Sequence, residues 1–150
     1  MTWKPHVTVA AVIERDGKFL MVEEIVNGKT VYNQPAGHLE NDESLINAVI
    51  REVLEETAWE FRPEQIIGIY RQRTESSDRT YLRICFSGQC IKHFPEQALD
   101  KGILSAPWLS HDELIARQDK LRSPMVIKCI NDYLTGQNYP MELIHDMENL

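Results

Sequence analysis

The chain has little cysteine and no Cys-x-x-Cys pair, so the thiolate spacing of a structural zinc site is missing. Cys85, Cys90 and Cys129 read as reduced thiols of a cytoplasmic protein. Cys85 and Cys90 are five apart, which on one strand sends them to opposite faces. No apolar run approaches the ~18 residues of a membrane span, and the N-terminal stretch has no cleavable-signal layout. A membrane partner is therefore not expected. Positive charge is also short: the formal net charge is −7, which disfavours a nucleic-acid surface. There is no repeat, low-complexity tract or linker, so residues 1–150 are expected to form one domain, as a monomer or homodimer. What is present suits a packed core, with 43% apolar residues to fill it.

His6 to Ile13 is rich in β-branched residues and reads as a strand, turned at Arg15-Asp16-Gly17-Lys18 into a paired strand over Phe19 to Glu24. Asn27-Gly28 signals a second turn before a short strand at Val31-Tyr32-Asn33. Ile66 to Thr74 and Tyr81 to Ile91 read as a long hairpin around the polar turn Glu75-Ser76-Ser77-Asp78. Ile103 to Leu109 is expected as one last strand, with Ser110 capping a helix over about His111–Gln118. Ser123-Pro124 opens another helix that runs to about Leu134 and stops at Gly136. Strands with one helix in the middle and two at the end define a layered α/β domain.

The middle helix is the unusual element. Asn41 or Asp42 is expected to N-cap it, with Glu43 in its first turn. Glu52, Glu55 and Glu56 sit at i, i+3 and i+4, so a helix puts the three carboxylates on one face. Like charges at that spacing cost roughly 0.2–0.5 kcal/mol per pair, and the helix C-terminus favours cations instead. At 100° per residue, Ile46, Val49, Ile50, Val53 and Thr57 form the buried stripe, and the three acids border it. Acids that served only solubility would sit opposite the core. Two local rules broken together mark a functional site, and a bound divalent cation reverses both penalties. Arg51 lies four residues before Glu55 and can pair with it, while Glu43 falls away from the triad; both are expected to be structural.

In order, the segment reads Gly37, five residues, Glu43, seven residues, Arg51-Glu52-Val53-Leu54-Glu55-Glu56, then Thr57-Ala58-Trp59. This pattern resembles the Nudix box, G-x5-E-x7-R-E-U-x-E-E-x-G-U with U apolar. One position departs: the second glycine is Ala58, where a left-handed residue is expected at a cost of about 1 kcal/mol for alanine. The resemblance implies an α/β/α sandwich around a mixed sheet and a hydrolase acting on phosphoanhydrides. It implies that Glu52, Glu55 and Glu56 are the catalytic, metal-binding carboxylates and that the backbone carbonyl of Gly37 joins them. Magnesium fits such an oxygen donor set, and manganese can replace it. Glu52 is the first choice for general base, with the loop acids Glu96 and Asp100 as alternatives better read as solvated charges.

KPHVTVA at 4–10, NQPAGHLE at 33–40, LRSP at 121–124 and the tail around Tyr139-Pro140 resemble a bacterial phosphatase branch of that family. This narrower resemblance implies a small phosphorylated substrate: nucleoside di- and triphosphates, and hydroxymethylpyrimidine pyrophosphate or thiamine pyrophosphate, with orthophosphate released. A pyrophosphatase for nucleotide sugars or dinucleotides, and a catalytically silent binding module, are the competing readings. Arg71, Arg73 and Arg83 are expected to bind substrate, since residues two apart on a strand share a face and arginine forks onto phosphate. The competing account is a polar outer sheet face.

Overall fold

The computed structural model describes residues 2–74 and 77–148. The strands and helices run β1 (His6–Val12), β2 (Glu14–Arg15), β3 (Lys18–Leu20), β4 (Val22–Val26), β5 (Lys29–Asn33), β6 (Ala36–His38), α1 (Leu45–Thr57), β7 (Trp59–Thr74), β8 (Arg79–His93), β9 (Ile103–Ser105), β10 (Trp108–Ser110), α2 (His111–Ala116), α3 (Pro124–Leu134) and β11 (Tyr139–Pro140). The main sheet has the order β11-β7-β8-β1-β6, with two three-stranded sheets, β10-β3-β2 and β5-β4-β9, beside it. It is mixed, because β1 pairs parallel with β8 and antiparallel with β6.

The strands of the main sheet are apolar on both faces because each face is covered. Val9, Ala11, Ile84 and Phe86 pack with Ala48, Val49 and Val53 of α1. Ala10, Val12 and Cys85 pack with Val126, Cys129 and Ile130 of α3. The result is the expected α/β/α sandwich, and Cys85 and Cys90 do fall in opposite layers. All three cysteines are buried free thiols. No helix among the described residues is long and apolar enough to cross a membrane.

Both short turns are formed as their sequences dictate. Asp16-Gly17 and Asn27-Gly28 take positive φ at each central residue, 53° and 77° in the first and 52° and 76° in the second. Of the turn Glu75-Ser76-Ser77-Asp78, Glu75 and Ser76 lie outside the described residues.

Several boundaries differ from the expectation. The Phe19–Glu24 segment breaks at Met21, and the Ile103–Leu109 segment breaks at Ala106-Pro107. Each half joins a different small sheet: β3 pairs with β10, and β4 with β9. Pro107 has no N–H for a ladder, but its carbonyl accepts the Met21 N–H at 2.8 Å, so the two breaks face each other. The long hairpin begins at Trp59 instead of Ile66. Pro63 argues for a late start on propensity alone, yet the strand carries it at a register shift. Opposite lies Gly88, where an added Cβ would stand 2.1 Å from the Arg62 carbonyl oxygen. α2 ends at Ala116, not Gln118, and is closed at its start by a full capping box between Ser110 and Glu113.

Ala58 takes the left-handed conformation itself, at φ 63°, and its N–H bonds the Leu54 carbonyl at 2.9 Å. The helix therefore ends as it would with glycine. The methyl is 2% exposed. Burial of one methyl contributes ~0.8 kcal/mol, and the left-handed backbone costs an alanine about 1 kcal/mol. Ala58→Gly is thus expected to leave stability within about 0.5 kcal/mol of wild type; urea denaturation midpoints of the two proteins measure it.

Candidate metal centre

α1 starts later than its acids suggest. Ser44 is the N-cap, its side chain accepting the Asn47 N–H at 3.0 Å. Asn41 and Asp42 do not cap the helix, and Glu43 precedes it and is not in its first turn. The reason is a stronger partner. Arg51 donates from Nη2 and Nε to the two oxygens of Glu43, at 2.6 and 2.9 Å. A charge-assisted bond contributes about 1.5–3 kcal/mol, against about 0.3–1 kcal/mol for an acid at a helix start. Nor is Glu43 remote from the triad: the same guanidinium reaches Glu52 at 2.7 Å, Glu55 at 3.3 Å and the His38 carbonyl at 3.1 Å. Arg51 thereby ties the Gly37–Glu43 loop to the acidic face of the helix. The buried stripe is also shifted, with Ala48 and the acids Glu52 and Glu56 inside it and Ile46 and Ile50 only partly covered.

Glu52, Glu55 and Asp100 each place an oxygen within 4.8 Å of the others. Asp100, expected from sequence as a solvated loop charge, is held instead: its backbone N–H bonds the Glu55 carbonyl at 3.0 Å, which anchors the loop beside the helix end. Glu96, the other loop acid, is not in this group. Glu56 lies next to it, 8% exposed, accepting the Ala36 N–H at 2.9 Å. Burial pushes its carboxyl up to about 9, with the charges of Glu52, Glu24 and Asp100 adding to the rise. Burial also raises Glu52, against the lowering pull of Arg51. Gly37, on the edge strand β6, faces this carboxylate directly: a Cβ there would be 2.1 Å from Glu52 Cδ.

The donor set fits a hard divalent cation. It consists of carboxylate oxygens, with Glu52 and the neighbouring Glu56 raised in pKa first of all by burial, around a position kept free of side chain by Gly37. The raised values fix a pH dependence. Below about pH 4.5 both states hold the Glu56 proton; as pH rises toward 9 only the folded protein keeps it, so this contribution to stability is lost through that window. The metal-free protein is expected to melt at lower temperature at pH 8.5 than at pH 6. The gain in Tm on adding Mg2+ should grow over the same range, because cation binding needs the deprotonated acid. Thermal melts in chelator and in Mg2+ measure both.

The three arginines are not one patch. Arg83 pairs with Tyr70 and Arg71 with Leu82 across the β7–β8 ladder, which puts Arg71 and Arg73 on the opposite face from Arg83. Arg71 and Arg73 are exposed, and Arg73 is paired with Asp78. Arg83 is buried on the α3 side, where its Nη1 donates to Gln34 Oε1 at 2.9 Å and its Nη2 to Asn33 Oδ1 at 3.3 Å. Sequence reasoning missed Asn33 and Gln34 as its holders, and missed Arg122, which bonds the buried Glu24 at 2.6 Å; the charge of Glu24 is felt at Glu56. Only distant contacts create these pairs, so no local pattern announces them.

A three-layer fold whose edge strand and helix end converge on carboxylates defines an enzyme class, and the family model of the NUDIX domain matches residues 4–129. The chain belongs to the Nudix family and is a hydrolase acting on phosphoanhydrides. Over 145 residues it is 43% identical to Phosphatase NudJ of Escherichia coli (strain K12), covering 96% of this chain and 93% of that protein. The same figures hold for Phosphatase NudJ of Shigella boydii. In structure it resembles a NUDIX hydrolase from Nitrosomonas europaea, with a TM-score of 0.95, 50% identity and coverage of 98% of this chain and 100% of that one. A bifunctional NMN adenylyltransferase/ADP ribose pyrophosphatase from Francisella tularensis, complexed with AMP and a manganese ion, shares the fold at a TM-score of 0.70 and 22% identity, covering 89% of this chain and 42% of that one.

Proposed function

We propose that the protein is a magnesium-dependent phosphohydrolase, with manganese as a substitute, that removes terminal orthophosphate. Its substrates are nucleoside di- and triphosphates and the pyrophosphates of hydroxymethylpyrimidine or thiamine. The convergence of Glu52, Glu55 and Asp100 within 4.8 Å carries the reading. The likeness to a phosphatase over 96% of the chain supports release of orthophosphate over other cleavages. Glu52, Glu55 and Glu56 would hold the cation together with the Gly37 carbonyl, with Asp100 completing the acidic rim. A bound Mg2+ would neutralise charge on the phosphoryl oxygens and lower the pKa of a coordinated water.

The protein's own groups do the rest. Water attacks the terminal phosphorus, its proton passes to the Glu52 carboxylate, and the bridging P–O bond breaks to leave orthophosphate and the shortened ester. Arg51 positions Glu52 and Glu55 through bonds of 2.7 and 3.3 Å. The retention of every acid on this face argues against a silent binding module.

The test is orthophosphate release from nucleotides, the two vitamin-pathway pyrophosphates, nucleotide sugars and dinucleotides. Chelator should abolish the activity, and Mg2+ or Mn2+ should restore it. Inorganic pyrophosphate or paired monophosphates as products would overturn the phosphatase reading in favour of a pyrophosphatase.

A further inference from the structure

The loop between β8 and β9 brings Asp100 to the acidic end of α1 without help from either core. No residue of 94–102 belongs to a hydrophobic cluster, and Asp100 itself is exposed. Burial therefore does little to hold the loop in place. Charge works against it. Asp100 lies with Glu52 and Glu55 within 4.8 Å, and its carboxylate adds to the rise in pKa of Glu52 and of Glu56. Under repulsion alone the loop would swing away from the helix.

Three donors of the loop oppose that swing. The Phe94 N–H bonds the Ala58 carbonyl at 2.8 Å, and the Asp100 N–H bonds the Glu55 carbonyl at 3.0 Å. Between them the Gln97 amide donates from Nε2 to the Leu54 carbonyl at 2.7 Å. A helix end leaves its last carbonyls without donors, so α1 has these acceptors to offer. The Leu54 oxygen already takes the Ala58 N–H at 2.9 Å and accepts Gln97 on its second lone pair. Among the described residues, the Gln97 bond is the one side-chain hydrogen bond that the loop makes.

The two backbone bonds follow from the course of the chain, whereas the third depends on one amide. Gln97 stands three residues from Phe94 and three from Asp100, at the middle of the span, and is partly buried against the helix. We propose that Gln97 is a positioning residue for the metal centre: its amide clamps the loop to α1, so that Asp100 meets Glu52 and Glu55 before a cation binds. This rests on the metal-dependent reading of the centre. A cation then finds the acids assembled and spends none of its binding energy on drawing the loop in. A glutamine that only completed the helix end would affect stability and have no link to the Asp100 carboxylate.

The test is Mn2+ binding to the metal-free protein, read from the electron paramagnetic resonance of free Mn2+. It compares wild type, Gln97→Met, Asp100→Asn and the double variant. Methionine keeps the length of the side chain and removes the donor, and Gln97 lies outside both cores, so the variants should fold. Gln97→Met should weaken Mn2+ binding about three- to tenfold, the range of one neutral hydrogen bond. Asp100→Asn should weaken it at least as much. Adding Gln97→Met to Asp100→Asn should then change it by less than about twofold, because the clamp has no ligand left to place. In turnover, the Mg2+ concentration for half-maximal rate should rise in Gln97→Met, with kcat at saturating Mg2+ within about twofold of wild type. Unchanged Mn2+ affinity in Gln97→Met, an equal loss with and without the Asp100 carboxylate, or a kcat deficit that survives saturation overturns the proposal. Non-additive Mn2+ binding in a protein that releases no orthophosphate from any substrate refutes the phosphohydrolase reading and leaves the clamp standing.

Discussion

Glu55→Gln is expected to reduce kcat/KM by roughly 10²- to 10⁴-fold, since a lost carboxylate ligand removes several kcal/mol of charge stabilisation in the transition state. The fold should not notice. Glu55 is partly exposed, and its side chain makes one bond, to Arg51 at 3.3 Å, while Arg51 keeps its fork to Glu43. Glu56→Gln should lose comparable activity but differ in stability. It removes an acid whose burial opposes ionisation while keeping an oxygen for the Ala36 N–H, so the metal-free variant should melt higher than wild type at pH 8.5. Two variants with equal loss of turnover and different melting profiles separate the role of a ligand from that of a buried group. Wild-type turnover in either variant sinks the metal assignment.

The sequence carried the acidic face of α1 almost completely, because helix geometry converts the spacing of Glu52, Glu55 and Glu56 directly into position. The order of elements made a layered α/β domain legible, and the α/β/α sandwich followed from the resemblance to the Nudix box; the strands are apolar on both faces because a layer covers each. What stayed hidden depends on side chains from distant segments. Glu43 looked like a first-turn acid until Arg51, eight residues on, proved the better partner. Asp100 looked like a solvated loop charge until the Glu55 carbonyl fixed its backbone. The arginines failed on register. Arg83 lies on the other strand of the hairpin from Arg71 and Arg73, and only the ladder shows that it faces the other layer. The first seven residues of β7 were not legible, because the register shift that carries Pro63 depends on Gly88 opposite it, on a distant stretch of chain.

Gly37→Ala tests the centre from the backbone side. Gly37 has no positive φ, so alanine suits its conformation, and the nearest conflict is with the Glu52 carboxyl, 2.1 Å from the added methyl. The methyl must displace that carboxyl. The displacement breaks the 2.7 Å bond to Arg51, worth about 1.5–3 kcal/mol, but frees a group whose burial raises its pKa. These effects oppose each other, so the metal-free variant should stay within about 1–2 kcal/mol of wild type in stability. Function has no such compensation. With Glu52 moved away from Glu55 and Asp100, Mg2+ affinity should fall about 10- to 100-fold and kcat/KM by roughly 100-fold or more. Raising Mg2+ should recover part of the rate but not all of it if, as proposed, Glu52 also takes the proton from the attacking water. Full recovery at high Mg2+ would restrict Glu52 to holding the cation and make the loop acid Asp100, which shares the group with Glu55, the proton acceptor to test next.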